Sequence, residues 1–306
     1  MKIVLVGIGK IARDQHVPAI ANSADWNLAA TVSRTGTVDD VPAYTNIDTM
    51  LAENPEIRAV SLCLPPVPRF AYAKAALLAG RHVMLEKPPG ATLAEVHALA
   101  ALAQTQGSTL FTTWHSRMAQ GVAQAKALLA GKSVIKGHIT WKEDVRRWHP
   151  GQDWVFAAGG MGVFDPGINA LSILTEILPA PVHLQDARLD VPENCQTPIA
   201  AQLTFSNGIT ADFDWRQEGP QNWDMWIETA ENRVELSEGG SKINVDGRDI
   251  TGEAAGASLL GEYPALYAHM ADLVRTGTSD IDLSPMVHVA DAMTLGKRVS
   301  LPAFHR

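Results

Sequence analysis

Three polar residues of this 306-residue chain stand where their neighbours suit them to chemistry on a hydroxyl group, Lys87 and Asp165 to move its proton and Asn169 to orient it. Lys87 lies in Leu85-Glu86-Lys87-Pro88-Pro89, at the end of an apolar run, His82 to Glu86, that reads as a strand. A lysine there, partly desolvated and beside a cationic ligand, can donate to, or exchange a proton with, a substrate oxygen. Pro88 admits a cis peptide bond, which would aim Lys87 sharply. Asp165 opens Asp165-Pro166-Gly167-Ile168-Asn169, and aspartate before proline is a good helix N-cap. Asn169 follows one turn later, so both polar groups can face one side while Ile168 and Leu171 serve the core. Turning them inward is costly unless a polar ligand or partner meets them.

A second pattern concerns phosphate. Gly7-Ile8-Gly9-Lys10-Ile11-Ala12 follows the apolar run Ile3-Val4-Leu5-Val6 and opens a helical stretch. Gly7 allows the tight turn, Gly9 lets backbone approach a pyrophosphate, and Ala12 permits close helix packing, so a dinucleotide meets N–H groups at a helix start. The next strand ends in Thr31-Val32-Ser33-Arg34, without the acidic residue that bonds a ribose 2′-hydroxyl. A hydroxyl followed by a guanidinium suits a 2′-phosphate, so NADP is preferred and NAD is the second choice. Gly7, Ile8, Gly9, Lys10, Ile11, Ser33, Arg34, Leu64, Pro65, Glu86 and Lys87 form the expected cofactor set. No metal site is expected.

These residues need a frame that brings strand ends together. Strands are predicted over Ile3 to Gly7, Leu28 to Ser33, Ala59 to Leu64, His82 to Glu86 and Thr109 to Trp114, with helices over Ile11 to Ala21, Arg69 to Ala79 and Leu93 to Gln106. This alternation predicts an N-terminal Rossmann-type, doubly wound parallel sheet over residues 1–117. A linking helix, Met118 to Ala130, leads into longer alternating runs: Ile135 to Trp141, Ile199 to Phe205, Ile209 to Trp215, Trp223 to Thr229 and Arg233 to Leu236. Ser206-Asn207-Gly208 and Ala230-Glu231-Asn232 read as hairpin turns. Helices are expected from Asp165 to about Leu178, Pro264 to Arg275 and Val287 to Val299. Residues 118–306 are therefore predicted to form a substrate-binding α+β domain with a large, mostly antiparallel open sheet, its last helices available to pack back on the first domain.

Composition narrows the partners. With 46% hydrophobic and 19% charged residues and a net charge of −8, the chain reads as a soluble globular protein that attracts neither nucleic acid nor an anionic membrane. Cys63 and Cys195 lie far apart and outside any CxxC spacing, so neither a disulfide framework nor a zinc site is suggested. No signal-peptide or membrane-spanning run is read, and a cytoplasmic location is expected. The segment Trp141 to Pro150 mixes ring faces with charges, as a carbohydrate site requires. His115, at a strand end, has a similar standing as a ligand contact or a structural histidine.

Taken together, the glycine loop, Glu86-Lys87-Pro88 and the Asp165 to Asn169 motif resemble the glucose-fructose oxidoreductase and inositol dehydrogenase (Gfo/Idh/MocA) family. The longer strings Gly7 to His16, Leu85 to Gly90, Trp141 to Pro150 and Phe164 to Leu171 resemble its bacterial aldose 1-dehydrogenases acting on L-arabinose and D-galactose. Most of the family has histidine where this chain has Asn169, which cannot act as a base at neutral pH. The sugar dehydrogenase branch shares the asparagine, which leaves Asp165 and Lys87 as proton-handling candidates. The resemblance implies oxidation of a pyranose C1 hydroxyl to the lactone, with Lys87, Asp165 and Asn169 at the reaction. It assigns His115, Glu143, Trp148, His149, Asp165 and Asn169 to the sugar. It also implies homodimers paired through the second sheet. A polyol dehydrogenase, an NAD-dependent glycosidase and a non-catalytic NADP-bound sensor are the alternatives.

Overall fold

The computed structural model describes residues 1–252 and 261–305. It divides into two compact units, the first built on Met1–His115 with 261–283, the second on 116–252 with 284–305.

In the first unit, strands β1 (Lys2–Val6), β2 (Asn27–Val32), β3 (Ala43–Tyr44), β4 (Ala59–Leu62), β5 (His82–Leu85) and β6 (Leu110–Thr112) form a parallel sheet in the order β3-β2-β1-β4-β5-β6. The order reverses beside β1, the switch point at which open α/β sheets bind ligands at their carboxyl edge. Strands β4 and β5 are buried throughout, which is why they are continuous apolar runs. Helices α1 (Val17–Ala21), α2 (Ile47–Glu53), α3 (Pro66–Leu78) and α4 (Leu93–Gln106) connect these strands. The last of these has the bounds its sequence predicts, set by a Thr92/Glu95 capping box and a left-handed Gly107. The helix expected over Ile11 to Ala21 is not uniform: Ala12–His16 is a π-helical turn that leads into α1. Pro18, with no N–H and a ring that crowds the preceding turn, accounts for the widening.

In the second unit, α5 (Val122–Leu129), α6 (Val145–Trp148) and α7 (Phe164–Ile177) accompany a nine-stranded sheet. Its strands are β7 (Val134–Lys142), β8 (Leu184–Pro192), β9 (Ala200–Phe205), β10 (Ile209–Asp214), β11 (Asn222–Thr229), β12 (Arg233–Ser237), β13 (Lys242–Val245), β14 (Arg248–Asp249) and β15 (Lys297–Leu301), in the order β14-β13-β12-β11-β7-β10-β9-β8-β15. The sheet is mostly antiparallel, with parallel pairs β10–β7 and β15–β8. The sequence signal for β8 is weak because a bulge between Leu184 and Asp186 breaks its alternation.

Helix α8 (Glu262–Thr276) belongs to the first unit and α9 (Ser284–Leu295) to the second. The helix expected over Val287 to Val299 ends at Leu295, and β15 follows it. At Gly296 an added Cβ would lie 2.4 Å from the Ala292 carbonyl oxygen, so the chain turns there before Val299 enters the sheet. Asp165 does not cap its helix. α7 starts one residue earlier, with Val163 at the cap, so Asp165 is a buried first-turn residue. Among the described residues, no helix is long and apolar enough to cross a membrane, and no group of His, Cys, Asp or Glu could hold a metal ion.

Candidate active site

The carboxyl ends of β1, β2, β4 and β5 carry Gly7 to Ile11, Ser33-Arg34, Leu64-Pro65 and Glu86-Lys87, so parallel topology brings these segments to one edge. The glycine turn is fixed from both sides: Gly7 N–H donates to Val32 O at 2.8 Å, and Cys63 N–H to Val6 O at 2.8 Å. Gly7 has φ +88°, and a Cβ there would come within 2.7 Å of Leu64 N. Gly9 differs, because its Cβ would meet nothing within 4 Å. Bare backbone that packing does not require, exposed beside Lys10 and Ile11 at a helix start, fits an anionic dinucleotide. Ala12 is fully buried beneath it. Lys10 pairs with Asp14, Ser33 Oγ accepts from Gly36 N–H at 3.1 Å, and Arg34 is exposed.

The Lys87–Pro88 peptide is cis. Arg69 of α3, 2% exposed, donates to the carbonyl oxygens of Leu64, Glu86 and Pro88, tying together the two loops that end β4 and β5. Glu86 turns inward. Its Oε1 accepts from Tyr263 OH at 2.7 Å and lies 3.5 Å from His16 Nε2, while Oε2 accepts from the Lys87 N–H. Burial alone would raise the Glu86 pKa, but His16, His115 and Tyr263 outweigh it and hold the carboxyl far below its ordinary range. His16 is held well above its ordinary value, because Cys63, Tyr267 and Glu86 outweigh the lowering by burial. His16 Nδ1 is 2.8 Å from Tyr267 OH, which donates to Ser61 Oγ at 3.1 Å. His115 also belongs to this unit, with Nδ1 2.6 Å from Glu262 Oε2 and its ring stacked on Tyr263 at 5.4 Å. Its pKa is raised, since Glu262 and Glu86 outweigh burial.

The second unit gathers Glu143, Trp148, His149, Asp165 and Asn169. Strand β7 lies between β10 and β11, with Trp141 opposite both Phe213 and Trp223. Glu143, two residues beyond Trp141, therefore has an indole on each side. Trp215 Nε1–H donates to its Oε1 at 3.0 Å and Trp223 Nε1–H to its Oε2 at 2.9 Å. These donors fix the carboxylate at the end of β7. Asp144 caps the single turn α6, which ends in Trp148; the Trp148 indole donates to Gln221 Oε1 at 3.3 Å and packs edge-on against Trp223. Asp165 Oδ2 lies 3.3 Å from His149 Nε2, and Asn169, one turn on, is half-buried. Gly167 explains the glycine of this motif: a Cβ there would be 2.9 Å from the Phe213 ring, so α7 begins directly against β10. Trp141 packs in the core.

Trp215, Trp223, Arg69 and Tyr263 shape these groups, and the sequence does not single them out. The two indoles approach Glu143 from strands that only the sheet register brings beside β7.

The model of the oxidoreductase family with NAD-binding Rossmann fold, GFO_IDH_MocA, matches residues 1–113. Galactose 1-dehydrogenase from Pseudomonas fluorescens is 40% identical over 310 residues, covering 100% of this chain and 99% of that protein. The crystal structure of D-galactose-1-dehydrogenase from Rhizobium etli superimposes with a TM-score of 0.93 at 53% identity, covering 99% of this chain and 97% of that one. A 3-ketoreductase from Actinomadura kijaniata, solved with TDP-benzene and NADP, shares the fold with a TM-score of 0.80 at 16% identity over 99% of both chains.

Proposed function

Because the chain belongs to the Gfo/Idh/MocA oxidoreductase family, we propose that it is an aldose 1-dehydrogenase that oxidises the C1 hydroxyl of D-galactose or L-arabinose to the lactone. The observation that carries this reading is Glu143 held by two indoles beside Trp148, in a chain 40% identical throughout to a galactose 1-dehydrogenase. Ring faces against sugar C–H groups and fixed carboxylate oxygens for hydroxyls are what a pyranose needs. The dinucleotide supplies the hydride acceptor when bound.

The chain's own residues divide the remaining work. Gly7, Ile8, Gly9, Lys10 and Ile11 present backbone to the pyrophosphate, with Leu64, Pro65 and Lys87 along the same edge. Ser33 and Arg34 receive a 2′-phosphate, which makes NADP the preferred cofactor and NAD the second. The O1 proton goes to Asp165 or Lys87, and Asn169 orients the hydroxyl. Glu143, Trp148 and His115 hold the ring. Glu86 acts through its neighbour, because its carboxylate is occupied within the unit and fixes the Lys87 peptide. D-galactose and L-arabinose share their configuration from C1 to C4, so a site that reads those hydroxyls accepts both, and the extra hydroxymethyl group sets the preference. The exposed face of the nine-stranded sheet, where Lys142 pairs with Asp212 and Arg216 with Asp214, is the surface for pairing two copies.

The experiment is a substrate panel with both cofactors and NMR identification of the product. Lactone formed in step with reduced nicotinamide supports the reading. Free sugar released from aryl glycosides without net reduction would contradict it.

A further inference from the structure

Asn169 poses a chemical problem that another loop answers. Its amide cannot accept a proton at neutral pH, so the residue one turn on from Asp165 does not relay a proton from that carboxylate. His149 reaches the same carboxylate from the end of α6, with Nε2 3.3 Å from Asp165 Oδ2. The ring packs edge-on against Trp215, with centroids 5.1 Å apart, and Nδ1 lies 3.3 Å from Gln152 Oε1. Nε2 is the nitrogen that faces Asp165, so once that carboxyl carries a proton, a ring with its own proton on Nδ1, towards Gln152 Oε1, can accept it. The His149 side chain is 20% exposed and that of Asp165 7%, so the imidazole joins a buried carboxylate to the surface.

We propose that His149 is the proton-exit partner of Asp165, an inference that rests on the sugar dehydrogenase reading and assigns the O1 proton to Asp165 within it. Oxidation breaks two bonds at C1–O1 and forms the carbonyl. The C1 hydrogen leaves with its electron pair to the dinucleotide, and the O1 proton passes to Asp165. Asp165 then gives that proton to Nε2 of His149, the imidazolium loses its Nδ1 proton to water at the surface, and exchange with that water restores the Nδ1–H tautomer for the next turnover. Carboxylate and imidazole return to their starting charges, and one proton appears in solution for each sugar oxidised. His149 acts through Asp165, which separates it from residues that only hold the ring.

The test compares His149→Ala and His149→Gln with Asp165→Asn, reading kcat and KM for D-galactose, sugar affinity by calorimetry, and melting temperature. We expect kcat to fall about 100-fold in both His149 variants, the scale of a lost proton-transfer group. Sugar affinity should stay within about threefold, and added imidazole should restore turnover of His149→Ala in a saturable way. A raised KM and weakened sugar binding with kcat unchanged would overturn the proposal and make His149 a sugar contact. Lost turnover without imidazole rescue would overturn it too, by leaving His149 a packing role on Trp215. If His149→Ala does not fold, the same split of kcat against KM is read in His149→Gln. Wild-type turnover in Asp165→Asn would overturn the assignment of the O1 proton to Asp165 and the proposal with it, whereas no D-galactose-dependent reduction by the wild type would remove the reading beneath the proposal.

Discussion

Gly7 and Gly9 stand two residues apart in one turn, and glycine serves a different need at each. Gly7 has positive φ and no room for a Cβ against Leu64, whereas a Cβ on Gly9 meets no protein atom within 4 Å. Gly7→Ala should lower the melting temperature, since strain and a clash together cost about 1–3 kcal/mol. Gly9→Ala should leave the melting temperature within about a degree and weaken dinucleotide affinity, read by calorimetry. Equal losses of stability in the two variants would count against a phosphate role for Gly9. Arg34 is argued in the same way. Arg34→Ala should raise the KM for NADP far more than that for NAD, and equal effects would exclude contact with a 2′-phosphate. At this scale the sequence is informative, because the glycine spacing, the missing acid after β2 and the Asp165 motif are local patterns with local causes.

Single elements carry what those patterns leave out. The π-helical turn Ala12–His16 and helix α8 together enclose Glu86, whose partners His16 and Tyr263 lie 70 residues before it and 177 after it. Lowering the Glu86 pKa stabilises the fold fully above its ordinary value of 4.5, and that stability is lost as the pH falls towards the depressed value. Raising the His16 pKa stabilises the fold below its ordinary value of 6.5, and that stability is lost as the pH rises through the raised value. The pair should therefore contribute most between those two ordinary values. The melting-temperature gap between the wild type and Glu86→Gln should be widest in that window and narrow on both sides. A gap independent of pH would show that charge has no part in it. Glu143 was legible as a candidate from the mixture of rings and charges between Trp141 and Pro150. Its indole donors were not, because they come from strands 72 and 80 residues further on.

At the scale of the whole molecule, the two units follow from two hydrophobic periodicities, near-continuous apolar strands up to β6 and alternating strands after β7. The parallel sheet was legible almost strand by strand, apart from β3, which has only two residues. The second sheet was legible at its centre and not at its edges. There β8 is bulged, and β15 follows a helix whose apolar spacing runs on past Gly296. The site groups stand where each unit's topology puts chemistry, at the carboxyl edge of the parallel sheet and at the start of α7 against β10.

The measurement that tests the proposed function most directly is D-galactose-dependent reduction of NADP, followed by nicotinamide absorbance, in the wild type and in Asp165→Asn and Lys87→Met variants shown to bind the cofactor. The account predicts steady reduction by the wild type, and in the variants a fall in kcat of about 100- to 10,000-fold. No sugar-dependent reduction in the wild type, or near wild-type turnover in both variants, would contradict it.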